Sequence, residues 1–460
     1  MRTVPPGQRC LVMLNARPGP TSSRLSARGP EARRETGSEA GGPVSWPRRH
    51  GRNEMTAGVA KPFDVIVIGA GLVGLSTASR LLDMRPGTRV GVIDKEQGVA
   101  LHQSGRNSGV VHSGIYYQPG SWRALLCREG RSALETFARQ HDIALPHPGK
   151  LIVAVDQGEL PELAQLHRRG LRNGLTGLRE LGPRELRDVE PDVTGVRALH
   201  VPETGVVDFR AVAAALVREV QGRGGVVLLG AEVTAIRRSG KLRILVTEGG
   251  DVATRVLVSS AGLQSDRLAM MTGARGRLRI IPFRGRYYRR SPAAGWTVRG
   301  LVYPIPDPRL PFLGVHFTRR ADDDIWVGPN AVLALGREAY ARYQFNLRDL
   351  SDAFLYAGFH RLVGRHIRVA AREVMRDRSP ALFARACRRY IPAVEAADLL
   401  PGAWGIRAQG VDARGRLVDD FVLQESDGVI HVRNAPSPAA TASLAIGRVL
   451  AERALLRLEP

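Results

Sequence analysis

Three glycines and one aspartate have the residue types and the spacing that are needed to hold a dinucleotide. Gly69, Gly71 and Gly74 form a G-x-G-x-x-G pattern, and Asp94 lies 20 residues beyond Gly74. The first glycine allows a tight turn, the second lets the backbone approach a pyrophosphate, and the third lets a helix pack on a strand. A carboxylate at the position of Asp94 would bind ribose hydroxyls.

The residues around this pattern predict the elements that must position it. The β-branched run from Val65 to Ile68 predicts a strand, and the apolar spacing from Leu72 to Leu82 predicts a helix directly after the turn. A second strand, from Arg89 to Ile93, delivers Asp94. A glycine pattern alone is weak evidence. The predicted order of strand, turn, helix and strand makes it a strong prediction of a βαβ dinucleotide site, in which the helix N-terminus faces the phosphates.

Small-residue turns elsewhere in the chain indicate which dinucleotide is bound. Such turns recur at Ala261-Gly262 and from Pro436 to Thr441, and no second G-x-G-x-x-G pattern is present. Dispersed contacts of this kind suit a long cofactor that is held in an extended pose, so we predict FAD rather than a separately bound NAD. Proline and small residues at 436–441 precede a helix whose N-terminus could face the edge of the flavin that becomes negative on reduction.

The composition restricts the class of protein. A chain of 460 residues can bury a large core, and its length suggests two or three domains. It has no uninterrupted apolar run of about 18 residues, so a membrane-spanning helix is not expected. The formal charge of +23 comes almost entirely from arginines that are spread along the chain, which argues against nucleic acid as a partner and favours attraction to anionic substrates or lipid surfaces.

The first 60 residues read differently from the rest, because Pro, Gly, Ser and Arg dominate and no apolar period emerges. They could be an organelle-targeting segment, a disordered tail, or upstream sequence before a start at Met55; we favour the last. Cys10, Cys127 and Cys387 are isolated, so neither disulfides nor a metal site is expected. A reducing compartment fits, and we expect a cytoplasmic protein, with the inner face of the cell membrane left open as its location.

The remaining patterns predict a mixed fold. Strands and helices are interspersed up to Val220, and a run of four strands is predicted from Val226 to Ser259. Short strand-like runs broken by Gly and Pro fill 280–328, which predicts a mostly antiparallel second layer. Helices are predicted at about 347–364, 368–390 and 443–456. The expected class is α/β, with a Rossmann-like FAD domain and an α+β substrate layer. We assign 61–145, 200–278 and 396–460 to the FAD domain, and 146–199 and 279–395 to the substrate domain.

Several stretches, in the same order, resemble the D-amino-acid-oxidase-type flavoenzymes, in particular those that act on L-2-hydroxyglutarate. The matching stretches are 69–74, Ser104-Gly-Arg-Asn-Ser-Gly-Val-Val-His-Ser-Gly-Ile-Tyr-Tyr117, 149–155, 282–285, 311–318, 328–333, 405–409 and His431-Val-Arg-Asn-Ala-Pro-Ser-Pro-Ala-Ala-Thr441. The resemblance implies oxidation of L-2-hydroxyglutarate to 2-oxoglutarate by hydride transfer to flavin N5. It leaves the first 60 residues uncovered, and Asp94 stands where many such flavoproteins have Glu.

Within this resemblance, two histidines are candidates for the base that takes the hydroxyl proton: His112 and His316. Arg407 is expected to clamp the substrate carboxylate, and a dicarboxylate needs a second cation, for which Arg284 is the candidate. Tyr116 is a further candidate for substrate binding. The expected cofactor contacts are Gly69, Gly71, Gly74, Asp94, Ser104, Arg106, Asn107, Ser108, Val233, Gly262, Pro438, Ala439, Ala440 and Thr441.

The partners follow from the reaction. They are a small dicarboxylate and an electron acceptor, which could be a quinone, a carrier protein or dioxygen. The alternatives are the same scaffold acting on another 2-hydroxy acid, an amino acid or glycerol 3-phosphate, because fold does not fix substrate, or a flavin-binding protein without catalysis.

Overall fold

A computed structural model of the chain describes residues 61–274, 276, 278–306 and 314–459. The three interpretations of residues 1–60 therefore fall outside the described residues, as does the beginning of the matching stretch 311–318.

Strands and helices are interspersed along the first half of the chain, and in the second half they occur mainly as separate runs of strands and of helices. The strands are β1 (Phe63–Ile68), β2 (Val90–Ile93), β3 (Val110–Val111), β4 (Lys150–Ala154), β5 (Arg179–Leu181), β6 (Arg197–Val201), β7 (Gly205–Val206), β8 (Val226–Leu228), β9 (Val233–Ser239), β10 (Leu242–Thr247), β11 (Gly250–Ser259), β12 (Arg279–Arg290), β13 (Leu301–Pro304), β14 (Phe317–Arg319), β15 (Ile325–Val327), β16 (Val332–Leu333), β17 (Leu399–Val411), β18 (Val422–Ser426) and β19 (Val429–Asn434). The α-helices are α1 (Leu72–Met84), α2 (Trp122–Gln140), α3 (Leu160–Arg172), α4 (Pro183–Val189), α5 (Phe209–Gly222), α6 (Ser265–Met271), α7 (Leu347–Phe354), α8 (Ala357–Arg378), α9 (Pro380–Cys387) and α10 (Ser443–Leu458).

The first sheet is built around the predicted βαβ unit. Its main strand order is β18-β19-β11-β1-β2-β8, and β1 pairs in parallel with both β2 and β11. The β-branched residues of β1 are fully buried because α1, α5 and α10 cover one face of the sheet. Continuous apolar strands of this kind are typical of a parallel sheet that is covered on both faces. The predicted strand–turn–helix and the second strand are confirmed.

The second sheet is mostly antiparallel, as predicted, with the order β16-β12-β15-β14-β13-β4-β6-β5 and with β17 paired to β12. The only parallel pair within it, among the strands described, is β13 with β4. Alternate residues of its strands point to opposite faces. One face packs in an apolar cluster that contains Leu151, Val302 and Phe317, and the other face looks toward the first sheet.

Two predicted boundaries differ from the structure. The helices predicted at 347–364 and 368–390 are three helices, α7, α8 and α9, and the predicted break coincides with a kink at His366 inside α8 (φ −122°, ψ 18°). The strand β17 begins in the segment that we assigned to the FAD domain, but it pairs with β12 of the other sheet. The two-domain division stays a prediction, with its last boundary moved to the end of β17.

A buried ion pair ties the segment after β16 to the first sheet. Arg337 donates to both carboxylate oxygens of Asp266 in α6, and it also donates to the Leu263 carbonyl oxygen at 2.6 Å. Both charged side chains are almost fully buried. In the described part of the chain, no helix combines the length and the apolar character that crossing a membrane would require.

Candidate active site

A cavity of about 490 Å³ lies between the two sheets. Thirteen of the predicted site residues line it: Gly71, Ser104, Arg106, Asn107, Ser108, His112, Tyr116, Gly262, His316, Arg407, Pro438, Ala439 and Ala440. They come from the glycine turn, the 104–116 loop, the turn after β11, the second sheet and the turn before α10. The chain therefore brings together segments that are widely separated in sequence.

The glycine turn is packed too closely for any side chain. A Cβ on Gly74 would lie 1.9 Å from the Gly69 carbonyl oxygen, and a Cβ on Gly69, whose φ is +107°, would lie 2.6 Å from the Ser260 carbonyl oxygen. Beside the turn, the Leu72 amide donates to Ser104 Oγ at 3.1 Å. Because Gly69 lies against Ser260, the turn after β1 contacts the turn after β11, and both turns open into the same cavity.

The far end of the cavity is formed by the turn before α10. Thr441 Oγ1 accepts a hydrogen bond from the His112 amide at 3.1 Å, so this turn and the 104–116 loop are joined. The guanidinium of Arg123 donates to the Ser437 carbonyl oxygen at 2.7 Å and ion-pairs with Asp419 at 2.8 Å. These contacts hold the turn beside His112.

The cavity fits FAD by several independent features. Residues 71–73 and 436–440, at the N-termini of α1 and α10, line the cavity. Neither N-cap residue caps its own helix, although the Leu72 amide of α1 donates to Ser104 Oγ. Backbone N–H groups at a helix N-terminus favour phosphate or another anionic group. The lining between the two ends combines small residues and loop backbone with aromatic and basic side chains. Residues 69–74 and 104–108 would hold the phosphate-bearing half, and residues 436–441 would hold the flavin ring.

Both candidate histidines line the cavity and are neutral at pH 7, His316 buried and His112 half-buried. Burial lowers the pKa of His112 well below its ordinary value, and the nearby Lys150 lowers it further. Burial lowers the pKa of His316 to about 3. The Nδ1 atom of His316 lies 2.9 Å from the Gly314 carbonyl oxygen. Because a carbonyl only accepts, Nδ1 must carry the proton, which leaves Nε2 as an acceptor.

The ring of His112 keeps hydrogen-bonding capacity toward the cavity. Its Nδ1 is buried and has no partner in the described part of the chain, and its Nε2 lies 3.5 Å from Ser437 Oγ. Neither ring nitrogen therefore has a strong hydrogen bond to the protein. The ring lies beside the turn that is expected to contact the flavin. A neutral imidazole in this state can accept a proton from a substrate hydroxyl.

A cation and a phenol complete the predicted substrate residues. Arg407 projects from β17 into the cavity, and its charge contributes to the lowered pKa values of both histidines. The Tyr116 hydroxyl is buried and lacks a hydrogen-bond partner among the described residues. Burial raises its pKa well above the ordinary value, so it stays protonated and acts as a donor.

Arg284 does not line the cavity, and the prediction that it is the second cation is not supported. Its neighbours Gly285 and Tyr287 line the cavity, whereas Arg284 points to the opposite face of β12. There its guanidinium ion-pairs with Asp377 at 3.7 Å and lies over the ring of Trp404. Strand alternation explains the difference, because both faces of β12 are buried and the sequence does not indicate which one faces the substrate.

The remaining predicted cofactor residues do not line the cavity: Gly69, Gly74, Asp94, Val233 and Thr441. Asp94 accepts backbone hydrogen bonds from Ala70 at 2.6 Å and from Glu96 at 2.9 Å, and burial raises its pKa. It therefore holds the turn in shape, and lone pairs remain for a ribose hydroxyl. Val233 is part of an apolar cluster next to the first sheet, and its contact with the cofactor stays a prediction.

Sequence reasoning missed several charged residues at this site. Four of them line the cavity: Arg123, Arg169, Asp419 and Arg433. A fifth, Lys150, lies behind the lining residues Tyr116 and Tyr303. Lys150 begins β4, is 1% exposed, and places Nζ 5.0 Å from the ring centroid of Tyr116 and 4.6 Å from that of Tyr303. A signal was present: the chain has only four lysines among 67 basic residues, and this one precedes the apolar run Leu-Ile-Val-Ala. The preference for Arg elsewhere makes a lysine in a buried strand unusual.

Comparison with known proteins agrees with this arrangement. Residues 64–453 match the family described as FAD dependent oxidoreductase, DAO. A protein of Indibacter alkaliphilus named L-2-hydroxyglutarate dehydrogenase is 42% identical over 86% of this chain and 99% of its own length. The human mitochondrial protein of the same name is 40% identical over 86% of this chain and 89% of its own length.

Solved structures share the fold at low sequence identity. The FAD-bound L-α-glycerophosphate oxidase of Mycoplasma pneumoniae is 21% identical, with a TM-score of 0.71 over 86% of this chain and 95% of that one. Glycine oxidase of Geobacillus kaustophilus is 18% identical, with a TM-score of 0.63 over the same share of this chain and 95% of its own. The chain therefore belongs to the FAD-dependent oxidoreductase (DAO) family and, within it, groups with the proteins named L-2-hydroxyglutarate dehydrogenase.

Proposed function

We propose that this chain oxidises L-2-hydroxyglutarate to 2-oxoglutarate with FAD as its cofactor. The observation that carries the proposal is one cavity that fits FAD and also holds a neutral His112 beside the cationic Arg407. Relatives that are 40% and 42% identical to this chain are named for the same substrate. A 2-hydroxy acid needs a group that takes the hydroxyl proton and a cation that fixes the carboxylate, and both are present here.

Each residue has a defined role in the proposed reaction. The planar guanidinium of Arg407 binds the carboxylate next to the reacting carbon and fixes the orientation of C2. His112 accepts the hydroxyl proton as the C–H bond breaks, and His316, whose Nε2 is also an acceptor, is the alternative base for the same proton. Bound FAD supplies the acceptor for the hydride that leaves C2.

Anaerobic titration of the flavin absorbance tests this function. L-2-hydroxyglutarate is expected to bleach the visible bands of the purified holoprotein within a stoichiometric addition. The D-isomer, glutamate and glycerol 3-phosphate, added at the same concentration, serve as controls and should leave the bands unchanged. Equal bleaching by any of these three would remove the substrate assignment while keeping the flavoprotein assignment.

Replacement of Arg407 by Ala separates substrate binding from cofactor binding. The KM for L-2-hydroxyglutarate should rise by about 100-fold, because a charged hydrogen-bonding partner of a carboxylate is lost. Flavin content should stay near that of the wild type. Wild-type saturation behaviour would remove Arg407 from the substrate site.

We also propose that the segment 335–382 rests on an anionic membrane surface, where a quinone would receive the electrons. Ten large apolar side chains of this segment are exposed: Leu335, Tyr343, Phe345, Leu347, Phe354, Leu355, Ile367, Val374, Met375 and Leu382. Seven arginines of the segment are exposed, against one exposed carboxylate, Asp352. Apolar side chains among exposed cations suit the interface of an anionic bilayer.

Co-sedimentation with lipid vesicles tests the membrane proposal. The holoprotein should sediment with vesicles that contain phosphatidylglycerol, and binding should weaken as salt rises. Replacing Leu355 and Ile367 by Asn should reduce this binding, whereas Asn at Leu171, an exposed leucine outside the segment, should not. Equal sedimentation of the double variant and the wild type would refute the assignment of this surface.

A further inference from the structure

Lys150 lies on the same face of the second sheet as the cavity, directly behind the rings of the lining residues Tyr116 and Tyr303. In the parallel pair of β4 and β13, Lys150 lies opposite Leu301, and Tyr303 follows on the same face. The ring of Tyr303 contacts His316 with a centroid distance of 4.2 Å. The next residue of β4, Leu151, points to the other face and into the apolar cluster. The ammonium is therefore placed on the catalytic side of the sheet.

The ammonium of Lys150 has no counter-ion or hydrogen-bond partner among the described residues. Its nearest groups are the faces of the Tyr116 and Tyr303 rings. Among the described residues that line the cavity, the one carboxylate is that of Asp419, which is paired with Arg123. An unpaired buried ammonium is costly for a folded protein, so its presence next to a ligand cavity indicates that the ligand supplies the missing anion.

A second orphan donor lies beside it. The Tyr116 hydroxyl is also buried without a partner in the described ranges, and Tyr116 lines the cavity. An ammonium and a phenol that stays protonated both require acceptors. A carboxylate supplies two acceptor oxygens and the negative charge.

We propose that Lys150 Nζ and Tyr116 Oη form a second carboxylate subsite, which binds the end of the substrate remote from the carboxylate held by Arg407. The substrate identity rests on the function proposed above, whereas the subsite itself rests on these two orphan donors. It takes the place of Arg284 as the second cation that a dicarboxylate needs. The subsite would make the cavity selective for dicarboxylates over monocarboxylates of equal length.

Burial lowers the pKa of Lys150 to about 7, so binding of a carboxylate there should be accompanied by proton uptake. The other titratable groups around this amine are Cys127, Tyr116, Tyr303, His112 and His316. Burial raises the pKa of the thiol to about 12 and keeps both tyrosines protonated, and both histidines are neutral. Lys150 is therefore the group that should take up the proton near pH 8.

Calorimetric titration of the holoprotein with glutarate and pentanoate tests the subsite without catalysis. Both acids have five carbons and lack the reactive hydroxyl, and only glutarate has the second carboxylate. Wild-type protein should bind glutarate roughly thirtyfold more tightly than pentanoate. Titrations at pH 8 in two buffers of different ionisation enthalpy should show proton uptake with glutarate. The Lys150→Met variant should lose most of this preference, keeping at most the about fivefold share of the Tyr116 hydroxyl, and should take up no proton.

Two further variants keep the test decisive if Lys150→Met does not fold. Tyr116→Phe removes only the orphan hydroxyl and should reduce the glutarate preference about fivefold. Lys241→Met removes an exposed lysine and should behave as the wild type. A wild-type protein without preference for glutarate would overturn the subsite. A preference that depends on Lys150, in a protein that fails to oxidise L-2-hydroxyglutarate, would retain the subsite and overturn the proposed function.

Discussion

Replacing Lys150 by Met should stabilise the ligand-free holoprotein, by an amount that depends on pH. Burial places the pKa of Lys150 at about 7 in the folded state, against an ordinary value of 10.5. The unfolded chain therefore binds more protons between these two values, so the wild-type protein loses stability as pH falls from 10.5 to about 7. From the linkage relation, this loss is about 2 kcal/mol at pH 9 and about 4 kcal/mol at pH 7.

The quantity to measure is the change with pH in the difference between the unfolding free energies of the Met variant and the wild type. Urea unfolding of both proteins, followed by far-UV circular dichroism, gives the free energy of unfolding at each pH. The advantage of the Met variant should be about 2 kcal/mol larger at pH 7 than at pH 9. Packing changes caused by the methionine cancel in this comparison because they do not depend on pH. An advantage that is equal at both pH values would refute the lowered pKa, and the exposed Lys241→Met variant should show no such difference.

Three other predictions concern the cofactor turn, the base and the ion pair between the sheets. Gly74→Ala should lower flavin content more than tenfold, because its Cβ would overlap a carbonyl oxygen, whereas Gly222→Ala, with open space around it, should retain flavin. Because His112 is neutral throughout, kcat/KM should not fall as pH decreases from 8 to 6, whereas protonation of Lys150 in this range should raise it, and His112→Gln should lower kcat about 100-fold or more; an acid limb near pH 6.5 would contradict this. Arg337→Met should cost about 3–5 kcal/mol in urea unfolding by leaving a buried carboxylate unpaired; a loss below about 1 kcal/mol would mean that the pair contributes little.

The sequence was sufficient for features that depend on neighbouring residues. The glycine spacing predicted the turn between β1 and α1, and Ser121, a residue type that favours helix caps, caps α2 with its hydroxyl accepting from the Ala124 amide at 3.2 Å. Both are local features, because a tight turn or a cap needs only a few consecutive residues. The order of the small-residue turns was also informative, since those turns line one cavity.

Features that depend on which face of a strand is used could not be predicted in the same way. Arg284 was expected to bind substrate because it follows Pro-Phe in a matching motif, but its face of β12 is closed by Asp377 from α8. Lys150 was overlooked because β4 has both faces buried and shows no alternation of polar and apolar residues. The direction of each side chain is set by sheet pairings between distant segments, which periodicity does not encode.

The position of β19 and α10 has a consequence for the folding of the protein. The strand β19 pairs with β11, and α10 packs against α1, so residues 429–458 complete the layer that begins at residue 63. The flavin pocket therefore closes only after contacts between distant parts of the chain have formed. Uptake of flavin should accordingly be a late step in refolding, after the pairing of β19 with β11.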